Sequence, residues 1–225
     1  MIRNRSLQAR SDAAAFSIAL LLAAVVFSGA ASAQAQVPAA TQPPAPNAQL
    51  QQNQTHPVII HLDAGSTTIQ WTLRGSAHNA HGTFQIKGGL ITFNPATGVA
   101  DGEILVDVAT GASGNAARDG RMRSEVLETQ KYPTAFFHPT LVTGTLKPGN
   151  TERLTMQGTL NIHGADHPLI LKIDAKQQGT VLAATTHFLI PYVAWGMKDP
   201  SMFVFRVARQ VEVDVTAHGS IEGAP

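Results

Sequence analysis

From Pro57 to about Ser220 the chain alternates between apolar and polar residues, and this alternation predicts strands. Leu154, Met156, Gly158, Leu160 and Ile162 occupy even positions, while Thr155, Gln157, Thr159, Asn161 and His163 occupy odd ones. A period of two sustained over such a length is the signature of a strand with one wet face. The pattern recurs at Leu169, Leu171 and Ile173, at Val211, Val213 and Val215, and at Ile104, Val106 and Val108. Shorter versions run through Trp71 and Leu73 and through Phe84 and Ile86. Turn signals separate the runs: Gly88-Gly89, Asn94-Pro95, Asp101-Gly102, Pro148-Gly149-Asn150 and Gln178-Gly179. Several are short enough for hairpins, which makes the strands antiparallel neighbours. Roughly eight to ten strands are expected.

Eight or more strands with one apolar face bury it either as a two-sheet sandwich or as a barrel closed on itself. A membrane barrel inverts the faces, with apolar residues outside. The strands here lack terminal aromatic girdles, aromatics make up only 6% of the chain, and the polar face carries Lys and Glu. These features favour an apolar interior.

Two stretches break the alternation. Between Ser113 and Lys131, Ala116, Ala117, Arg118, Met122 and Leu127 suggest one or two helical turns, with Asn115 as the N-cap. A lone helical excursion in an all-β chain must pack on something, which suggests a lid over one barrel end. The second stretch, from Pro191 to Phe205, concentrates Tyr192, Trp195, Met197, Phe203 and Phe205. Loop aromatics normally find burial. These either cap the core or line the mouth of a cavity.

The N-terminus reads as an export signal. Arg3, Arg5 and Arg10 form a basic region, a small and apolar run follows from Ala13 to Ala31, and Ala31-Ser32-Ala33 fits a cleavage site. The run is long enough to span a bilayer, but it is Ala-rich and ends in a processing site, which favours cleavage. Residues 1–33 are therefore expected to be a signal peptide and the mature chain periplasmic. Residues 34–56 are rich in Gln, Ala and Pro, with no charged or periodic apolar positions. Such a segment cannot offset its ordering entropy and reads as a disordered linker. The domain proper is expected at 57–220.

Charge and composition narrow the chemistry. The chain carries +1 overall, and residues 1–33 hold Arg3, Arg5, Arg10 and Asp12, so the remainder carries −1. That net charge shows no footprint for nucleic acid or for an anionic membrane. There is no cysteine, which excludes thiol chemistry, thiolate metal sites and disulfides. Metalloprotease, nucleophile-elbow, phosphate-loop and dinucleotide motifs are absent. Nine histidines are the one functional-looking excess. His163 and His167 flank a turn and could approach each other, but two imidazoles alone make a poor zinc site.

Several of these stretches resemble the YceI family of bacterial periplasmic proteins. The resemblance is carried by Ser66 through Trp71, by Gly82-Thr83-Phe84, and by Arg118-Asp119 with Met122 and Ser124. It continues through Tyr132-Pro133-Thr134-Ala135-Phe136, Gly158 through Gly164, and His167-Pro168. It extends over essentially all of 57–220. Val126 and Leu127 stand where the family often has an aromatic, and the Tyr192 to Pro200 loop resembles only a subset of members.

The resemblance implies an eight-stranded antiparallel lipocalin-like barrel with a short helical lid. Its apolar tunnel would hold a polyisoprenoid chain, in some members that of an isoprenoid quinone. Phe84, Leu160, Ile162, Leu169, Leu171, Val211 and Val213 would line the tunnel. Phe136, Tyr192 and Trp195 would form its walls or mouth, and Met122 would contact the ligand. Arg118 and Asp119 would anchor the lid, with Arg118 facing a polar headgroup. The expected function is periplasmic binding, sequestration or transport of an isoprenoid lipid, with no catalytic residue and no cofactor. The resemblance leaves room for transient membrane contact and for a homodimer. The rival readings are a non-binding β-module with a solid core and a histidine-dependent metalloenzyme.

Overall fold

The computed structural model describes residues 56–223. The expected signal peptide, and the linker up to Thr55, lie outside the described residues. Nine strands follow in chain order: β1 (Val58–Leu62), β2 (Thr68–Leu73), β3 (Ala80–Phe93), β4 (Ala100–Ala112), β5 (Thr134–Thr143), β6 (Thr151–Ile162), β7 (Ala165–Gln178), β8 (Val181–Ile190) and β9 (Val211–Glu222). From β3 to β9 each pairs antiparallel with the next. Strand β9 then pairs with both β1 and β2, and both of these pair with β3. The sheet closes on itself.

The two short strands share one place in the ring. Strand β1 lies along Gly89–Phe93 of β3, and β2 along Ala80–Phe84. Nine segments thus occupy eight positions, and the architecture is the expected closed eight-stranded antiparallel barrel. Closure removes the exposed edges that an open sheet would present.

Side chains cover the break between β1 and β2. The Asp63 carboxylate accepts from the Gly65 amide at 2.8 Å and from the Ser66 hydroxyl at 2.9 Å, folding the chain into a tight turn. Facing it, His218 of β9 keeps Ala183 of β8 on one side and has no strand partner on the other. Its amide donates to Thr67 Oγ1 at 3.2 Å, and its carbonyl accepts from the Asp63 amide at 2.8 Å. Thr67 is buried. Its hydroxyl replaces a missing ladder bond, as a buried backbone group requires.

The alternating apolar sets all point inward. Met156, Leu160, Leu171 and Val213 are buried, and Leu154, Ile162, Ile173 and Val215 pack against them. All of the core residues fall between Val58 and Ile221. The hydrogen-bonded ring and its core are therefore complete within one continuous segment of chain.

Glycine admits an aromatic ring onto the wall at Gly82. This residue pairs directly with Trp71 across β2 and β3. The Trp71 ring and the Ala112 carbonyl occupy the space a Cβ would need. The indole is buried and covers the bare backbone.

The helical interruption is α1 (Ala116–Arg121), which runs on into a π-helical turn over Met122–Val126. Asn115 is the N-cap, its side chain accepting from the Arg118 amide at 3.1 Å. No helix among the described residues is long and apolar enough to cross a membrane.

The up-and-down order sorts the loops by length. The connections 74–79, 113–133 and 191–210 all lie at one end of the barrel, with the tight turn at His163 and Gly164. The other end carries only 94–99, 144–150 and the turn at Gly179. The lid and the aromatic loop therefore meet over the same opening.

Candidate functional site

The inner faces do not meet at the barrel axis. They leave a cavity of about 650 Å³. That falls within the range of about 300–1,000 Å³ usual for small-molecule sites. An eight-stranded barrel either fills its interior with side chains or holds one slim ligand.

Most of the residues expected to line a tunnel border this cavity. Phe84 of β3, Leu160 and Ile162 of β6, and Leu169 and Leu171 of β7 are on its wall. So are Val211 and Val213 of β9. Arg118 and Met122 reach it from the lid, and Tyr192 from the 191–210 loop. Gly111 of β4 makes room for the contact between lid and wall. The Met122 methyl and the Phe84 ring both lie 2.6 Å from where a Gly111 Cβ would sit. A side chain there would evict one of them.

Three of the expected site residues do not border the cavity, Asp119 among them because it anchors the lid. Phe136 is on the outer face, edge-on to His138 with ring centroids 5.1 Å apart. Period two puts Ala135 and Phe137 inward on β5, and Phe137 is the aromatic that lines the cavity. Trp195 stacks flat on His167 at 4.0 Å, with the rings 5° from parallel. It roofs the barrel end without bordering the cavity. Asp119 is buried in the lid, away from the lumen.

Asp119 and Arg118 both grip Ser113, just after β4. The Asp119 carboxylate accepts from the Ser113 amide at 3.0 Å and from its hydroxyl. Arg118 Nε donates to the Ser113 hydroxyl at 2.7 Å, and its Nη2 to the Ser113 carbonyl at 3.0 Å. The guanidinium fork is thus turned back onto the barrel rim. Arg123 adds a third tie, donating to the Gly111 carbonyl at 3.0 Å. These bonds hold the helical segment against β4.

The Asp119 carboxyl is held below the usual carboxylate range, first by the Ser113 hydroxyl and then by the Ser113 amide. Arg123 and Arg118 add to the effect, against the opposing cost of burial. A folded value below the unfolded one favours the folded state above the ordinary range. That gain is lost as pH falls through the folded value. Wild type should therefore melt higher than Asp119→Asn at neutral pH, and the two melting curves should converge in acid. A constant gap between them across the carboxylate range would show that this charge does not hold the lid.

The 191–210 loop is tied down separately. The Tyr192 hydroxyl donates to the Ala208 carbonyl at 2.8 Å, and burial pushes its pKa up to about 12. Lys198 reaches Glu125 of the lid at 2.6 Å, so loop and lid are linked by an ion pair.

The charged groups of the lining and His78 gather at this one end. Ser76, His78, Arg118, Arg121 and Arg206 border the cavity where the three long connections meet. Towards the other end the wall carries no charge, with Phe93 and Thr67 among its aliphatic residues, and Ala175, Ala184 and Ala217 lie side by side on β7, β8 and β9. Their short side chains recess the wall and carry the cavity deeper. Sequence periodicity reaches Ala175, two residues beyond Ile173, but alanine alone does not mark a cavity.

The histidine pair does not form a site. His163 bonds Glu128 at 2.6 Å, while His167 lies under Trp195. Among the described residues no three His, Cys, Asp or Glu side chains come together as a metal-binding set.

An apolar barrel with a lid of this kind has known relatives. The model of the YceI-like domain matches residues 61–218. The chain belongs to the YceI-like family. No curated protein matches it. Among solved structures, BcnA of Burkholderia cenocepacia aligns with a TM-score of 0.56 at 17% identity, over 70% of this chain and 98% of its own. A polyisoprenoid binding domain from Saccharophagus degradans, implicated in plant cell wall breakdown, aligns with a TM-score of 0.55 at 18% identity. That alignment spans 74% of this chain and 98% of the other. At such identity the likeness speaks for the fold. This YceI-like barrel shares its architecture with both.

Proposed function

We propose that the protein binds an isoprenoid lipid in the barrel cavity and sequesters or carries it in the periplasm. The observation that carries this reading is the asymmetry of the cavity. Its wall is aliphatic and aromatic along its length, and its charged groups are confined to the lid end. That suits a long apolar chain bearing one polar head. A solid-core module would fill this space with side chains. Family membership supports the reading, as does the polyisoprenoid binding of the Saccharophagus degradans domain.

The energetics favour exchange over trapping. Burying forty carbons at about 0.8 kcal/mol each suggests some 30 kcal/mol. Ligands of that size reach about 0.3 kcal/mol per atom, or roughly 12 kcal/mol. A bilayer offers the chain the same apolar refuge, so the net advantage is modest. A carrier needs that balance.

The test is organic extraction and mass spectrometry of protein purified from periplasm without detergent. A stoichiometric isoprenoid is expected, and added isoprenoid quinone should raise the melting temperature of stripped protein. The intact mass should place the N-terminus at Gln34. Protein that carries no lipid, and whose melting is unmoved by the quinone, would overturn the proposal.

A further inference from the structure

We infer that the tip of the 191–210 loop docks the cavity mouth onto an anionic lipid surface. Met202, Phe203, Val204 and Phe205 are consecutive and exposed, Phe203 to 96% and Val204 to 69%. Other exposed large apolar residues, such as Leu90 and Ile170, stand singly on strands. Scattered apolar residues are ordinary, whereas a contiguous patch marks an interaction site.

The tip is presented by a pinned loop. The Met202 amide donates to the Phe205 carbonyl at 2.8 Å, which closes the turn. At its base, the Ser76 amide donates to the Arg206 carbonyl at 2.9 Å, and the Val207 amide to Ser201 Oγ at 3.1 Å. Bonds on both flanks thus hold the apolar side chains outward. Phe205 and Arg206 also border the cavity, so the tip stands at its mouth.

Charge identifies the partner. The three long connections at this end hold eight Lys and Arg against four Asp and Glu. The rest of the described domain holds five against ten. Glu212, paired with Arg74 at 2.6 Å, and Asp166, beside the His163 turn, also lie at this end, so the mouth carries a net of +2 against −3 elsewhere, behind an overall −1 that conceals both. Arg121 lies beside the tip itself, its Nη1 3.5 Å from Met202 Sδ. Apolar side chains within a basic surround suit an interface of acyl chains and anionic headgroups. A second copy of this chain would set one basic end against another, which like charges oppose. The arrangement points the mouth at the bilayer. Docking needs no ligand in the cavity; only the identity of what is exchanged rests on the isoprenoid reading.

The experiment is vesicle flotation with the chain from Gln34 onward, which contains the whole closed ring. Vesicles of phosphatidylglycerol and phosphatidylcholine in equal parts are compared with pure phosphatidylcholine. The protein should float with the anionic vesicles, and high salt or pure phosphatidylcholine should release it. Phe203→Ala should weaken binding about tenfold, the effect of removing one buried aromatic side chain. Phe203→Asp should abolish it. Phe203 faces solvent and lies outside the cavity lining, so both variants should melt, and take up isoprenoid quinone in solution, as wild type does. Wild type that ignores anionic vesicles, or Phe203→Asp that floats equally well, would overturn the inference. So would sedimentation showing a dimer that Phe203→Asp dissolves, since the tip would then be a self-association face. Quinone uptake is read separately, so a barrel that docks without binding isoprenoid is told apart from one that binds without docking.

Discussion

Ala184→Trp should leave a folded barrel that no longer takes up a long isoprenoid. Ala184 sits between Ala175 and Ala217 in register, and all three border the cavity. Their methyl groups stand where other wall positions carry Leu, Val or Phe. An indole at the middle position fills this recess. Overpacking a tight core costs about 1–3 kcal/mol, but here the added atoms enter a void. The barrel should melt within a few degrees of wild type. The ligand loses the deep end of its seat. Excluding two isoprene units, ten carbons at about 0.3 kcal/mol each, removes about 3 kcal/mol, or more than a hundredfold in affinity. Titration with isoprenoid quinones of long and short chain checks this. The long one should fail while the short one still binds. Equal affinity of wild type and variant for the long chain would place the tail elsewhere.

Gly82→Val should have the largest effect on stability. A Cβ at this position meets the Trp71 ring and the Ala112 carbonyl. The ring could swing away at the cost of its buried packing, but the carbonyl belongs to the β4 backbone and cannot. A loss of about 3 kcal/mol is expected, at the upper end for overpacking. For a domain of this size that lowers the melting temperature by about 10 °C. Trp71→Ala in the same chain removes one collision of the two, so the double variant should not recover wild-type stability. A melting temperature within a degree or two of wild type for Gly82→Val would show that the ring and the strand can both give way.

The inward face of the barrel was legible because strand periodicity is local. Leu160 and Ile162, or Val211 and Val213, are recognised from residues two apart, and closure turned all those faces the same way. The helical excursion and its Asn115 cap were legible for the same reason, since a cap acts over three residues. Phe136 shows where this fails. Strand β5 reads Ala135-Phe136-Phe137-His138, with no alternation to set its phase. Only pairing with β4 and β6 turns Phe137 inward and Phe136 out.

Contacts between distant segments were not legible. Asp119 and Ser113 are six residues apart with a turn between them, and no pattern links them. His163 and His167 are neighbours in sequence, yet one meets Glu128 of the lid connection and the other lies under Trp195. The pairing of β1 and β2 with one strand needs the full length of β3, and nothing in the two short runs announces it. The charge separation is the clearest case. The overall balance of −1 shows no attraction to an anionic surface, because charge counted along a chain carries no direction. What the sequence by itself determined is which residues face inward and where strands stop, because sterics and burial act over a few residues. The tertiary structure alone decided what the lid grips and where the arginines gather. Those follow from the register of strands far apart in the chain, which only ring closure sets.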